Sequence, residues 1–192
     1  MRYFIGFLVT IGLLIILVVL LFSGGGGPNS KKPKTTKALT DYASSNAVVR
    51  MTIDGPINAD TNHTAVRVTV GKDDATYQQI QGYQGTVVNT QSYANNENAY
   101  SNLLYALGHA GFTKGDNNKL LANEKGYCPL GKRYVFELLD GNNTVERYWT
   151  TSCGSAQPRT YKGNTTLTIS LFEYQIPDYF TLTQSLQHLN SP

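Results

Sequence analysis

Two cysteines and three histidines are the side chains in this sequence best suited to covalent or metal chemistry. Cys128 and Cys153 stand near the ends of the stretch "GYCPLGKRYVFELLDGNNTVERYWTTSCG", Gly126 to Gly154, which also holds the single tryptophan, Trp149. Such a pair can form a disulfide, supply half of a metal site, or offer a nucleophile. A structural zinc site wants four nitrogen or sulfur ligands. Here the cysteines are 25 positions apart with no CxxC, and His63, His109 and His188 all lie more than a dozen residues from either one. A nucleophilic cysteine needs a histidine or a helix start to lower its pKa. Cys128 instead precedes Pro129 and an expected strand, and Cys153 follows another. No metal ligand set, cofactor site or catalytic group is therefore assigned. Two readings stay open: free thiols in a reducing compartment, or a disulfide in an oxidising one.

The element that positions the cysteines favours the disulfide. "LLDGNNTVE" carries a turn at Gly141–Asn143 between two expected strands, Arg133–Leu139 and Val145–Thr151. One register pairs Glu137 with Arg147 and Val135 with Trp149. A one-residue slip sets Glu137 against Glu146, which is less favourable. In either register Cys153 faces a residue near 130 or 131, close to Cys128, within the Cα separation of about 4.4–6.8 Å that a disulfide needs.

Other constellations carry less. His109 falls in the last turn of an expected helix, where it can interact with the terminal carbonyls. His63 and His188 are expected in solvent. Asp73-Asp74 reads as a turn, since neighbouring side chains there diverge. "DNNKLLANE" has Leu120 and Leu121 where a calcium loop needs oxygen ligands and glycine. No GxSxG, SxxK, HExxH or phosphate-binding glycine loop occurs. Three N-x-T triplets, at Asn62, Asn142 and Asn164, are expected by chance in a chain this rich in Asn and Thr. Tyrosine is abundant, and it suits sugar or peptide surfaces because one side chain offers stacking area and a hydrogen bond. Tyr83, Tyr134, Tyr148 and Trp149 are the candidates for such a surface. The competing expectation is that aromatics fill the core and cross-strand positions.

The 192-residue chain divides by composition. Tyr3 to Phe22 is a 20-residue run without charge, long enough at 1.5 Å per residue to span a hydrocarbon core of about 30 Å. It exceeds the 7–15 residues of a cleaved signal's apolar region and reads as an uncleaved anchor, residues 1–22. Residues 23–40 form a Gly- and Lys-rich tether, and its lysines can lie against anionic headgroups. Residues 41–192 form one domain. From Asp41 onward, 11 Lys and Arg stand against 13 Asp and Glu. The basic balance belongs to the tether, which argues against a nucleic-acid partner. The tether lysines alone would keep the domain cytoplasmic. Their distance from the span, the low charge of the domain and the cysteine hairpin favour the outside.

Alternation predicts strands at Val48–Ile53 and Val66–Val70, with weaker ones at Tyr77–Ile80 and Thr86–Asn89 around "QGYQG". Tyr100, Leu103, Leu104 and Leu107 make one apolar stripe, predicting a helix over Asn96–Ala110 that ends at Gly111. Thr165–Phe172 reads as a strand, and Pro177–Leu189 as a second helix. The expected fold is α+β, an antiparallel sheet with two amphipathic helices on one face.

Two resemblances add to this. "IGFLVTIGLLIILVVLL" resembles the amino-terminal segment of type IV pilins, with Gly6-Phe7 as the processing junction. It departs from them in having Ile11 where they carry glutamate and a glycine run at Gly24 where their helix continues. "GYCPLGKRYVFELL" and "YWTTSCG", with "IQGYQG", "AGFTKG" and "IPDY", resemble small single-anchor membrane proteins of Saccharibacteria-type candidate-phylum bacteria. That resemblance implies a bacterial origin and a surface position, and it brings no catalytic residue. The expected function is a non-enzymatic binding or scaffolding domain outside the membrane, held in the bilayer by Tyr3–Phe22, with an envelope protein or glycan as partner. A pilin-like minor subunit is the alternative, and a cell-wall enzyme comes third.

Overall fold

The computed structural model describes residues 37–186. The expected anchor, most of the tether and His188 lie outside the described residues. Among the described residues, no helix is long and apolar enough to cross a membrane.

The domain is α+β. Six strands, β1 (Ala47–Asp54), β2 (Thr64–Val70), β3 (Asp74–Gln81), β4 (Thr86–Ala94), β5 (Arg133–Asp140) and β6 (Asn143–Thr151), form one antiparallel sheet in the order β4-β3-β2-β1-β5-β6. The first four make a meander. The path from β4 to β5 then crosses four inter-strand spacings, about 19 Å. Helix α1 (Glu97–Ala110) lies on that path. Its 14 residues extend about 21 Å. Asn96 caps it by accepting from the Ala99 N–H at 3.0 Å. Gly111, at φ 81°, ends it in the left-handed region that favours glycine.

Strand alternation separates two faces. In β1, Ala47, Val49, Met51 and Ile53 are buried, while Val48, Arg50, Thr52 and Asp54 are half-buried. Register places Val66, Val68 and Val70 beside the first set on one side, and Tyr134, Phe136 and Leu138 on the other. The helices cover this face. Tyr100, Leu104 and Leu107 of α1 join Phe112, Phe136, Tyr161 and Phe172 in the core. Leu39 and Tyr42 are buried there too, so packing begins two residues ahead of the expected boundary at residue 41. Gly115 lets the chain pass directly over the Tyr148 ring, which a Cβ at that position would overlap.

The segment expected as a strand at Thr165–Phe172 is instead helix α2 (Thr165–Glu173). Leu167, Ile169 and Leu171 alternate like a strand, but burial runs at i and i+4, through Thr168 and Phe172. Asn164 caps the helix by accepting from the Leu167 N–H at 3.0 Å. The expected second helix is shorter within the described residues: α3 (Tyr179–Thr183), followed by a 3-10 turn at Gln184–Leu186.

Near the C-terminal end of α2, burial holds the Glu173 carboxyl above its ordinary value, with Lys132 opposing. The same carboxylate helps burial push the Tyr134 and Tyr179 hydroxyls upward. A carboxyl raised on folding binds its proton more tightly in the folded state, so its contribution is fully present below the unfolded pKa and lost as pH rises through the folded one. Glu173→Gln is expected to raise the thermal midpoint relative to the parent at neutral pH. The two midpoints converge as the pH falls below the ordinary value of 4.5. Melting curves across pH 3–8 (roughly the window in which carboxyls titrate) check this. A variant less stable than the parent at neutral pH would refute it.

Candidate functional site: a cleft on the sheet face opposite the helices

The second face of the sheet carries a cleft of about 310 Å³. Its floor comes from alternate residues of three neighbouring strands. Thr52 of β1 stands between Arg67 of β2 and Val135 of β5, and Asp54 stands between Ala65 and Arg133. The β1–β2 loop supplies Ile57 and His63, the β3–β4 turn supplies Tyr83, and the segment at Glu124–Gly126 closes the third side.

Beneath one wall lies a polar knot. Asp54 Oδ1 is 2.9 Å from His63 Nε2. Asp54 Oδ2 accepts from Arg133 Nε at 2.8 Å and pairs with its second terminal nitrogen at 2.6 Å. Arg133, 2 % exposed, also donates to the carbonyls of Gly55 and Cys128. His63 Nδ1 lies 3.2 Å from the Pro56 carbonyl. Both ring nitrogens therefore face acceptors. The expectation of a solvated His63 is corrected: it is 4 % exposed, because the loop folds its ring onto Asp54 and under Tyr83.

Tyr83 is half exposed yet fixed. Its ring stacks on His63 with centroids 4.0 Å apart. Its hydroxyl donates to the Asn58 carbonyl at 2.9 Å, and its N–H donates to Asp60 Oδ1 at 2.7 Å. Gly82 precedes it at φ 72°, a conformation that L side chains rarely adopt.

A chain of charges crosses the rest of this face. Arg50 and Glu137 lie 3.9 Å apart, Glu137 and Arg147 3.5 Å, and Arg147 and Glu124 2.6 Å. Arg147 also donates to the Ala122 carbonyl at 2.9 Å, which ties the segment around residue 122 down over β6. Arg67 is outside this chain. Its Nε is buried and has no hydrogen-bond partner in the described structure. Burial, and then the nearby Arg50, lower its pKa, against Glu137.

The four aromatic residues proposed from sequence do not form one surface. Tyr83 lines the cleft. Tyr134 and Tyr148 face the helices, and Tyr148 is 4 % exposed. Trp149 points to the cleft face but is fully buried, because its Nε1–H donates to the Leu121 carbonyl at 2.6 Å and Tyr127 stacks on it. Tyr148 and Trp149 are thus corrected to packing positions. Cys128 and Cys153 are joined in a disulfide with Cα atoms 5.7 Å apart, beside the cleft through the Cys128 carbonyl that Arg133 reaches. His109 is exposed in the last turn of α1, edge-on to Tyr105. Asp73 pairs with Lys72, and Asp74 accepts from Thr76. Among the described residues, no group of three or more His, Cys, Asp or Glu could hold a metal ion.

Sequence reasoning missed Asp54, His63, Arg67 and Arg133 as a group. Their signal was weak: Asp54 reads as the opening of the turn "DGP", and Arg67 as the wet side of β2. No protein-family model matches the chain, and none of the curated proteins does.

Proposed function

We propose that the chain is a membrane-anchored, extracytoplasmic binding module of the bacterial envelope, and that the cleft beside Tyr83 receives its ligand. The observation that carries this reading is the cleft itself. It is a concavity floored by a rigid sheet and walled by a loop and a turn that are tied to each other, the setting in which ligand sites are found. The disulfide supports a position in an oxidising compartment. The apolar run and tether supply the attachment.

The histidine beside a carboxylate favours the cell-wall enzyme as a second reading. Its geometry weighs the other way. A general base needs a nitrogen lone pair within reach of the proton that it takes. Both His63 nitrogens are occupied, and the Asp54 carboxylate already holds His63 and Arg133.

Photo-crosslinking in intact cells tests the binding reading. A benzophenone side chain in place of Tyr83 is expected to form a defined adduct with an envelope component. One in place of Tyr174, 82 % exposed away from the cleft, is expected to form none. Equal patterns from both positions would count against the cleft.

A further inference from the structure

We infer that the cleft takes a ligand bearing a carboxylate, and that the guanidinium of Arg67 receives it; this rests on the cleft being the binding site proposed above. Apart from the exposed Lys125, the other ionic side chains that line the cleft or cross this face are engaged. Asp54 holds His63 and Arg133. Glu124 holds Arg147, and Glu137 stands between Arg147 and Arg50. Arg67 alone among the arginines lining the cleft makes no hydrogen bond or ion pair in the described structure, and its Nε is sequestered from solvent.

A buried donor left unpaired costs free energy, and an arginine cannot relieve that cost by losing its proton. Arg50 adds to the burden, being a second cation close enough to disfavour the charge on Arg67. Glu137 offsets part of that repulsion without forming an ion pair, and an anion bound at the terminal nitrogens would offset more of it. The planar fork of a guanidinium matches the two oxygens of a carboxylate.

The surroundings select for the rest of the ligand. Ile57, Ile80, Val135 and the Tyr83 ring line the same cleft, so the carboxylate would be carried on an apolar or aromatic body. A phosphate would bring nearly twice the charge into a cleft whose lining is largely apolar and in which Asp54 already neutralises Arg133 and Lys125 is exposed. The volume lies at the small end of the roughly 300–1,000 Å³ typical of ligand pockets, which suits a compact molecule.

Thermal shift and calorimetric titration of the full chain in detergent test this, with hippurate, its amide hippuramide and inorganic phosphate as probes. Hippurate is expected to raise the parent's midpoint in a concentration-dependent way. Hippuramide and phosphate are expected to leave it unmoved. Arg67→Gln is expected to weaken hippurate at least about tenfold, the loss that follows from removing a hydrogen bond to a charged group. It should melt no earlier than the parent, since it removes a half-buried cation whose Nε is unpaired. Arg67→Lys keeps the charge without the fork and is expected to bind with intermediate strength.

Hippurate that binds Arg67→Gln as well as the parent would overturn the inference. So would hippuramide binding as well as hippurate, or phosphate as the stronger ligand. A chain that crosslinks through position 83 in cells while hippurate leaves its midpoint unmoved keeps the cleft as a binding site and loses the carboxylate.

Discussion

Asp54→Ala is expected to destabilise the domain by about 3–5 kcal/mol, the range for breaking a buried ion pair from one side. The reason is what remains behind. Arg133 is 2 % exposed, and Asp54 is its only carboxylate partner within 4 Å in the described structure. With Asp54 gone, its charge faces only the carbonyls of Gly55 and Cys128, and His63 loses its Nε2 partner as well. Arg133→Met removes the charge that Asp54 serves, so Arg133→Met with Asp54→Ala is expected to cost less than the sum of the two single changes. Denaturant unfolding of the four proteins gives the coupling directly. Strict additivity would mean that the pair is not a unit. The cleft should suffer alongside stability, because Asp54 holds the histidine on which Tyr83 stacks.

Replacing both cysteines, Cys128→Ser with Cys153→Ser, is expected to lower stability by about 3.5 kcal/mol, the chain-entropy value for a loop of this length. The bridge closes a separation of 25 residues. Gly131 packs so closely against it that a Cβ there would touch the sulfur of Cys128 and the hydroxyl of Ser152. Against a total of about 5–15 kcal/mol for an ordinary domain, the loss is a large fraction. The same cysteines report the compartment. With a membrane-impermeant maleimide on intact cells, no labelling is expected before reduction and labelling is expected after it. Labelling without reductant would refute the bridge in cells. Failure to label after reduction, with labelling restored on lysis, would put the domain inside.

Much of the frame was legible because its signals are local. The alternation in β1 and β2, the apolar stripe of α1 with Asn96 before it and Gly111 after it, and the hairpin of β5 and β6 all follow from neighbouring residues. The register that pairs Glu137 with Arg147 and Val135 with Trp149 is the one present. It follows from cross-strand charge, since a slip would oppose two glutamates. The disulfide follows from that register in turn.

Helix α2 shows where local signals fail. "TTLTISLFE" is rich in β-branched residues and alternates in polarity, so its intrinsic preference points to a strand. Its conformation is decided by what it meets: Phe172 packs into the aromatic core, and the Thr168 hydroxyl lies 2.6 Å from the Tyr161 hydroxyl. Burial at i and i+4 rewards a helix there, whatever the alternation suggests.

The sequence by itself determined the apolar run, the Gly- and Lys-rich composition of the segment after it and the α+β class of the domain, along with the pairing of Cys128 with Cys153. These depend on composition and on contacts between residues close along the chain. Only the tertiary structure decided the cleft. Asp54, His63, Arg67 and Arg133 come together because β1 lies between β2 and β5, and that order requires the chain to run back across the sheet through α1. No spacing along the sequence encodes that neighbourhood. It arises when distant strands choose the same partner, and it leaves the Nε of Arg67 buried without a hydrogen-bond partner.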